Sequence, residues 1–111
     1  MLTIERCREL LGKRERVKLA NNTYLRRLDA SEGESYAVRL HETDVVRIEP
    51  TRGGATFYTL RTGGWQTSTT KDRINAYGPV HIYSEKKVWR LTKNERFEDG
   101  GVYDQDGKFV C

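Results

Sequence analysis

The chain has 111 residues, enough for one ordinary domain and too few for two. It carries 20 Lys plus Arg against 16 Asp plus Glu, a formal charge of +4, with 36% hydrophobic residues and three Phe, six Tyr and two Trp. That apolar and aromatic content argues against disorder, and no window approaches the roughly eighteen uninterrupted apolar residues that a membrane helix needs.

The chain reads as a single domain over 1–111, and its first segment is helical. Ile4, Cys7 and Leu11 fall on one face, Thr3 is placed to cap the N-terminus, and Gly12 suits the position just past the C-terminus. Lys13-Arg14-Glu15-Arg16 then forms a charged connector, and the apolar pattern changes to period two. Val17 to Leu28 reads as a strand bent at Asn21-Asn22, ended by the polar turn Asp29-Ala30-Ser31-Glu32-Gly33. Ser35 to His41 puts Tyr36, Val38 and Leu40 on one face and Ala37, Arg39 and His41 on the other. Asp44 to Glu49 puts Val46 and Ile48 opposite Val45, Arg47 and Glu49, so these two strands form a hairpin turning at His41-Glu42-Thr43. Thr51-Arg52-Gly53-Gly54 is a further turn, and Thr56 to Leu60 is a strand rich in β-branched and aromatic residues.

Gly63-Gly64 interrupts the meander. Thr69 with Asp72 three positions on approximates a capping box, Ile74 and Tyr77 share a face, and Gly78-Pro79 stops this second short helix. Val80 to Tyr83 and Val88 to Thr92 form a hairpin around Ser84-Glu85-Lys86-Lys87. Brief strands near Phe97 and at Lys108 to Val110 are set off by Asp99-Gly100-Gly101 and Asp106-Gly107. The fold class is α+β: a mostly antiparallel sheet of meander and hairpins, open or closing into a small partly open barrel, with two short helices.

Two ordered blocks carry a resemblance. Lys18 to Arg27 followed by Ala37 to Val46, and Thr62 to Tyr77 with the aromatic hairpin to Leu91, resemble a family of small proteins encoded by tailed bacteriophages and related mobile elements. The resemblance implies a viral setting inside an infected bacterial cell and carries over no site residue. Arg52-Gly53-Gly54-Ala55 lengthens a turn that is shorter in that family, and the tail after Thr92 lies outside the shared motif.

Cys7 and Cys111 stand near opposite ends of the sequence, whereas a disulfide framework shows four or more cysteines. Only Met1-Leu2-Thr3-Ile4 precedes the first charges, so the expected compartment is the bacterial cytoplasm, with both thiols reduced. Asn21-Asn22-Thr23 matches a glycosylation sequon that has chemical meaning only after secretion. Cys111 is placed to link two chains under oxidising conditions.

Candidate chemistry is sparse. His41 and His81 are the acid/base candidates for a phosphodiester-active enzyme, though their spacing gives no reason for them to meet. Glu85-Lys86-Lys87 fits the E-x-K element of metal-dependent nucleases, but it falls on a tight turn and its upstream partner Asp72 on a helix. Asp104-Gln105-Asp106-Gly107 starts like a calcium loop without the distal acid that such a loop requires. Two Cys and two His without a local ligand pair exclude a zinc site, and no cofactor is expected. Ser68-Thr69-Thr70-Lys71 at a helix start suits an anion as well as a cap.

Charge distribution says more. Residues 1–30 and 61–92 each carry a net +4, while 31–60 and 93–111 each carry −2. Arg14, Arg16, Lys18, Arg26 and Arg27 are expected on one basic surface. Arg61, Lys71, Arg73, Lys86 and Lys87 are expected on another, near Trp65, Tyr77 and Tyr83. Basic groups neutralise phosphates and exposed aromatics stack on bases, so the expected function is non-enzymatic binding of nucleic acid or of a bacterial host enzyme that handles it. Host takeover or anti-defence inhibition, of the anti-CRISPR kind, is the setting that fits a phage protein. The residues expected to carry it are Arg26, Arg27, Trp65, Lys71 and Arg73. A small nuclease using His41 or His81 and a structural phage module are the alternatives, and no membrane is expected as a partner.

Overall fold

The computed structural model describes residues 1–28, 33–92 and 95–111; of the polar turn expected at 29–33, all but Gly33 lies outside them. Thr3 accepts a hydrogen bond from the Arg6 amide and opens helix α1 (Ile4–Leu11), whose Cys7 and Leu11 are buried and which Gly12 ends at φ +56°. The expected bent strand at Val17–Leu28 is instead a hairpin of β1 (Arg16–Ala20) and β2 (Thr23–Leu28). Its turn is Asn21-Asn22, with Asn22 at φ +54°, a left-handed conformation that Asn tolerates well. Strands β3 (Ser35–Leu40), β4 (Thr43–Pro50) and β5 (Thr56–Leu60) continue the meander as expected.

The C-terminal expectation needs correction. The strand that joins the sheet is β8 (Val102–Tyr103), which pairs beside β5, while Phe109 makes a single bridge to Tyr103. The six strands run in the order β1-β2-β3-β4-β5-β8, each antiparallel to its neighbour, and the sheet is open, with β1 and β8 as its edges. A slip in register between Val38 and Arg39 leaves Val45 as an extra residue opposite them. This bulge is why Val45 and Val46 are both buried, although simple alternation sets them on opposite faces.

Helix α2 (Ser68–Tyr77) starts two residues earlier than its sequence signal suggests. Thr67, not Thr69, is the cap, and its hydroxyl accepts from the Thr70 amide at 3.2 Å. Strands β6 (Tyr83–Glu85) and β7 (Val88–Arg90) form a separate hairpin whose two-residue turn is Lys86-Lys87, at φ +50° and +66°. Both central residues of such a turn need a left-handed backbone, where Asn-Gly is preferred and each other L-residue costs about 1–2 kcal/mol. Replacing Lys86-Lys87 by Asn-Gly is therefore expected to stabilise the fold by about 1 kcal/mol, read as a rise of several degrees in Tm.

One hydrophobic core joins the two layers. Leu25, Tyr36, Val38, Val46, Ile48, Tyr58, Leu60 and Tyr103 from one face of the sheet pack with Cys7 and Leu11 of α1, Ile74 of α2, and Ile82, Trp89, Leu91 and Phe97. The molecule is only 19 Å thick in its shortest dimension, as expected for a sheet with a single covering layer about 10 Å away. No helix among the described residues is long and apolar enough to cross a membrane.

Burial pushes the Cys7 thiol up to about 12 from its ordinary 9.0, whereas Cys111 is exposed. A maleimide is thus expected to label one thiol per native chain, at Cys111, and two in denaturant.

Candidate nucleic-acid interface

Among the described residues, α1, α2 and the β6–β7 hairpin all contribute to the core on one side of the sheet, and period-two alternation decides what the other face displays. One row across the strands reads Arg16, Arg26, Ala37, Arg47, Thr59, Val102, and the next reads Lys18, Tyr24, Arg39, Asp44. Ala37 is fully buried between the flanking side chains of Arg26 and Arg47. Phe57 on β5 faces Glu49 across the strands at the other end of this surface. Among the described residues the face thus carries five cations, Arg16, Lys18, Arg26, Arg39 and Arg47, against Asp44 and Glu49.

Their engagements differ. Arg26 holds Asp44 through two parallel hydrogen bonds of 3.1 and 2.5 Å, and this bonding raises the guanidinium pKa further. Arg39 donates to the carbonyls of His41 and Glu42, both at 3.3 Å, and so ties the face to the β3–β4 turn. Arg16 lies 4.9 Å above the Tyr24 ring, a cation–π contact that leaves its charge toward solvent. Arg47 Nε sits 3.3 Å from Glu49 Oε1, an ion pair without hydrogen-bond geometry, and among the described residues that nitrogen has no hydrogen-bond partner. Arg16 and Lys18, which meet no carboxylate among the described residues, are thus the least committed cations of the face.

Arg26 is the expected site residue that this surface contains. Its sequence neighbour Arg27 points to the opposite face, where it donates to the carbonyls of Gly12 at 3.2 Å and Arg14 at 3.5 Å and lies over the Tyr36 ring. It closes the end of α1, as does Arg14 through the Leu10 and Leu11 carbonyls. Arg73 is half-buried on α2 and donates to the Thr23 hydroxyl at 2.8 Å, pinning the helix to the start of β2. Lys71 is half-buried on the same helix. The first expected basic surface therefore holds for Arg16, Lys18 and Arg26 but not for Arg14 and Arg27, and Arg39 and Arg47 join it from an acidic stretch of sequence.

Trp65 is 67% exposed at one end of the sheet. It stands on a turn that Asp99 braces, accepting from the Thr62 amide at 2.9 Å and from the Thr62 hydroxyl. Thr62 in turn accepts from the amides of Gly64 and Trp65, both at 3.1 Å. Gly63, at φ +65°, passes so close to Thr43 that a Cβ would lie 2.6 Å from its hydroxyl. Only glycine fits this crossing. Between this turn and the β3–β4 turn opens a cleft of about 790 Å³ lined by His41, Glu42, Thr43, Trp65, Thr67 and Thr69, among others.

His81 lines a different cleft, beside Pro79, Leu91 and Asp106, so the two imidazoles do not share a site. Glu85 ends β6 and faces Arg90 at 4.0 Å, while Asp72 lies on α2. Asp104 accepts from the amides of Asp106 and Lys108, both at 2.9 Å, which makes its segment a closed turn. Among the described residues no group of three His, Cys, Asp or Glu is placed to hold a metal ion.

No curated protein and no solved structure matches the chain. A family model does match, over residues 4–106, and it runs on past Thr92, so the C-terminal segment that carries Asp99 and β8 is part of the shared pattern and not an appendage to it. The chain belongs to the phage-encoded Kyanoviridae Gp96 protein family.

Proposed function

We propose that this phage protein acts by binding, without catalysis, and that its ligand is single-stranded nucleic acid laid across the face of the sheet opposite the core. The observation that carries the reading is the composition of that face: among the described residues, five cations to two carboxylates, with Arg16 stacked on Tyr24. Such a surface neutralises a phosphate chain while offering ring and guanidinium planes to unstacked bases. Among the described residues no helix or hairpin projects from it to enter a groove, which favours a single strand over a duplex. In the cytoplasm of an infected bacterium, binding of this kind would serve host takeover or the blocking of a defence enzyme that acts on nucleic acid.

The test is titration of a labelled single-stranded oligonucleotide of roughly 10 nucleotides at several salt concentrations. Binding is expected at low salt, with a log–log slope of about −2 to −3, as three or four phosphate contacts at about −0.7 each require. No retention at low salt, with a bacterial protein still captured from nuclease-treated lysate, would replace this reading by docking to a host protein.

A further inference from the structure

We infer that the Trp65 cleft receives a single splayed base of the strand bound on the sheet face. The inference rests on the proposed function and adds to it a place where one base is held apart from the rest. The cleft adjoins the face, because Arg39 on the face grips the carbonyls of His41 and Glu42, two residues of the cleft lining. A strand running along the Lys18–Tyr24–Arg39 row therefore reaches the cleft by turning over the end of the sheet.

The lining indicates which part of a nucleotide enters. Among the described residues Glu42 lines it and no Lys or Arg does, so a phosphate is repelled while a neutral base is not. The hydroxyls of Thr43 and Thr69 and the His41 ring supply donors and acceptors for a base edge, and the Trp65 indole supplies a stacking plane. The cleft, at about 790 Å³, is within the range of small-molecule sites, roughly 300–1,000 Å³. Trp65 is also held in place and not trailing from a loose loop, since Asp99 braces its turn and Gly63 lodges against Thr43. An exposed aromatic on a fixed turn stacks with little loss of side-chain freedom.

Fluorescence reads this directly, because Trp89 is only 7% exposed and Trp65 is the accessible indole. Titration with a single-stranded oligonucleotide is expected to quench the emission of the native chain but not of Trp65→Phe. Trp65→Ala is expected to weaken binding roughly 5- to 100-fold with the salt slope unchanged, and Trp65→Phe to retain most of the affinity. An abasic oligomer of equal charge is expected to bind without quenching. If the oligonucleotide binds with its full salt dependence but Trp65→Ala binds equally well, or if the abasic oligomer quenches equally, the base-accepting cleft is overturned and the sheet-face reading stands. If no oligonucleotide binds, both fall together.

Discussion

Reversing Arg16 and Lys18 to glutamate together is expected to weaken binding of a single-stranded oligonucleotide roughly 30- to 100-fold at low salt. Each reversal exchanges attraction to a phosphate for repulsion, about 1–1.5 kcal/mol apiece, and about 1.4 kcal/mol is tenfold in affinity. The log–log salt slope is expected to shrink by about 1.4 at the same time, because two contacts no longer release counterions. Both side chains are exposed on the edge strand β1 and neither bonds a carboxylate among the described residues, so the fold tolerates the change. The paired control is Lys86→Glu with Lys87→Glu, on the β6–β7 turn, which alters net charge by the same amount away from the sheet face. Equal loss in the two variants, by fluorescence anisotropy, would mean that overall charge and not this face attracts the strand.

The largest effect on stability is expected at Tyr58. Its ring is fully buried on β5 between Ile48 of β4 and Tyr103 of β8, and its hydroxyl donates to the Leu2 carbonyl at 2.7 Å. Tyr58→Ala leaves a cavity under the sheet and is expected to cost about 3–5 kcal/mol, a large share of the roughly 5–15 kcal/mol that holds a domain of this size together. Tyr58→Phe keeps the ring and leaves the buried Leu2 carbonyl unpaired, for about 1–2 kcal/mol. Urea midpoints separate the two. Burial raises the Tyr58 phenol to about 12 from 10.0 and the Cys7 thiol to about 12 from 9.0. Both folded values lie above the unfolded ones, so the chain loses protons more readily once unfolded. The stability linked to them is whole below about pH 9 and falls as the pH climbs toward 12, less steeply in Tyr58→Phe.

Much of the sheet could be read from alternation, and the places where it misled have definite causes. A single strand over Val17–Leu28 bent at Asn21-Asn22 and a hairpin turning there predict the same alternation. The register slip between Lys18 and Ala20 places Val17 opposite Leu25, so odd-numbered residues share a face either way. Val102-Tyr103 is too short to show a period, and its place beside β5 depends on contacts distant in sequence. The site is less legible because net charge along the chain mixes residues from both faces of the sheet. Arg26 and Arg27 are neighbours in sequence and lie on opposite sides of the sheet, one in the exposed row and one sealing a helix end. Arg39 and Arg47 sit in a stretch of net −2 yet complete the basic row, since alternation places Val38, Val46 and Ile48 on the other side. Summing charge by strand parity would have found them.

The strand order has a consequence for how the molecule is assembled. β1 to β5 each pair with the next strand in the chain, and such near-neighbour pairings close small loops and form early. The β5–β8 pairing must wait until α2 and the β6–β7 hairpin have been threaded between them. Asp99 travels with that last segment, and it is the carboxylate that fixes the turn bearing Trp65. The brace of the cleft's Trp65 turn is thus expected to arrive last, so that a nascent or partly unfolded copy presents its charged strands before that turn is fixed.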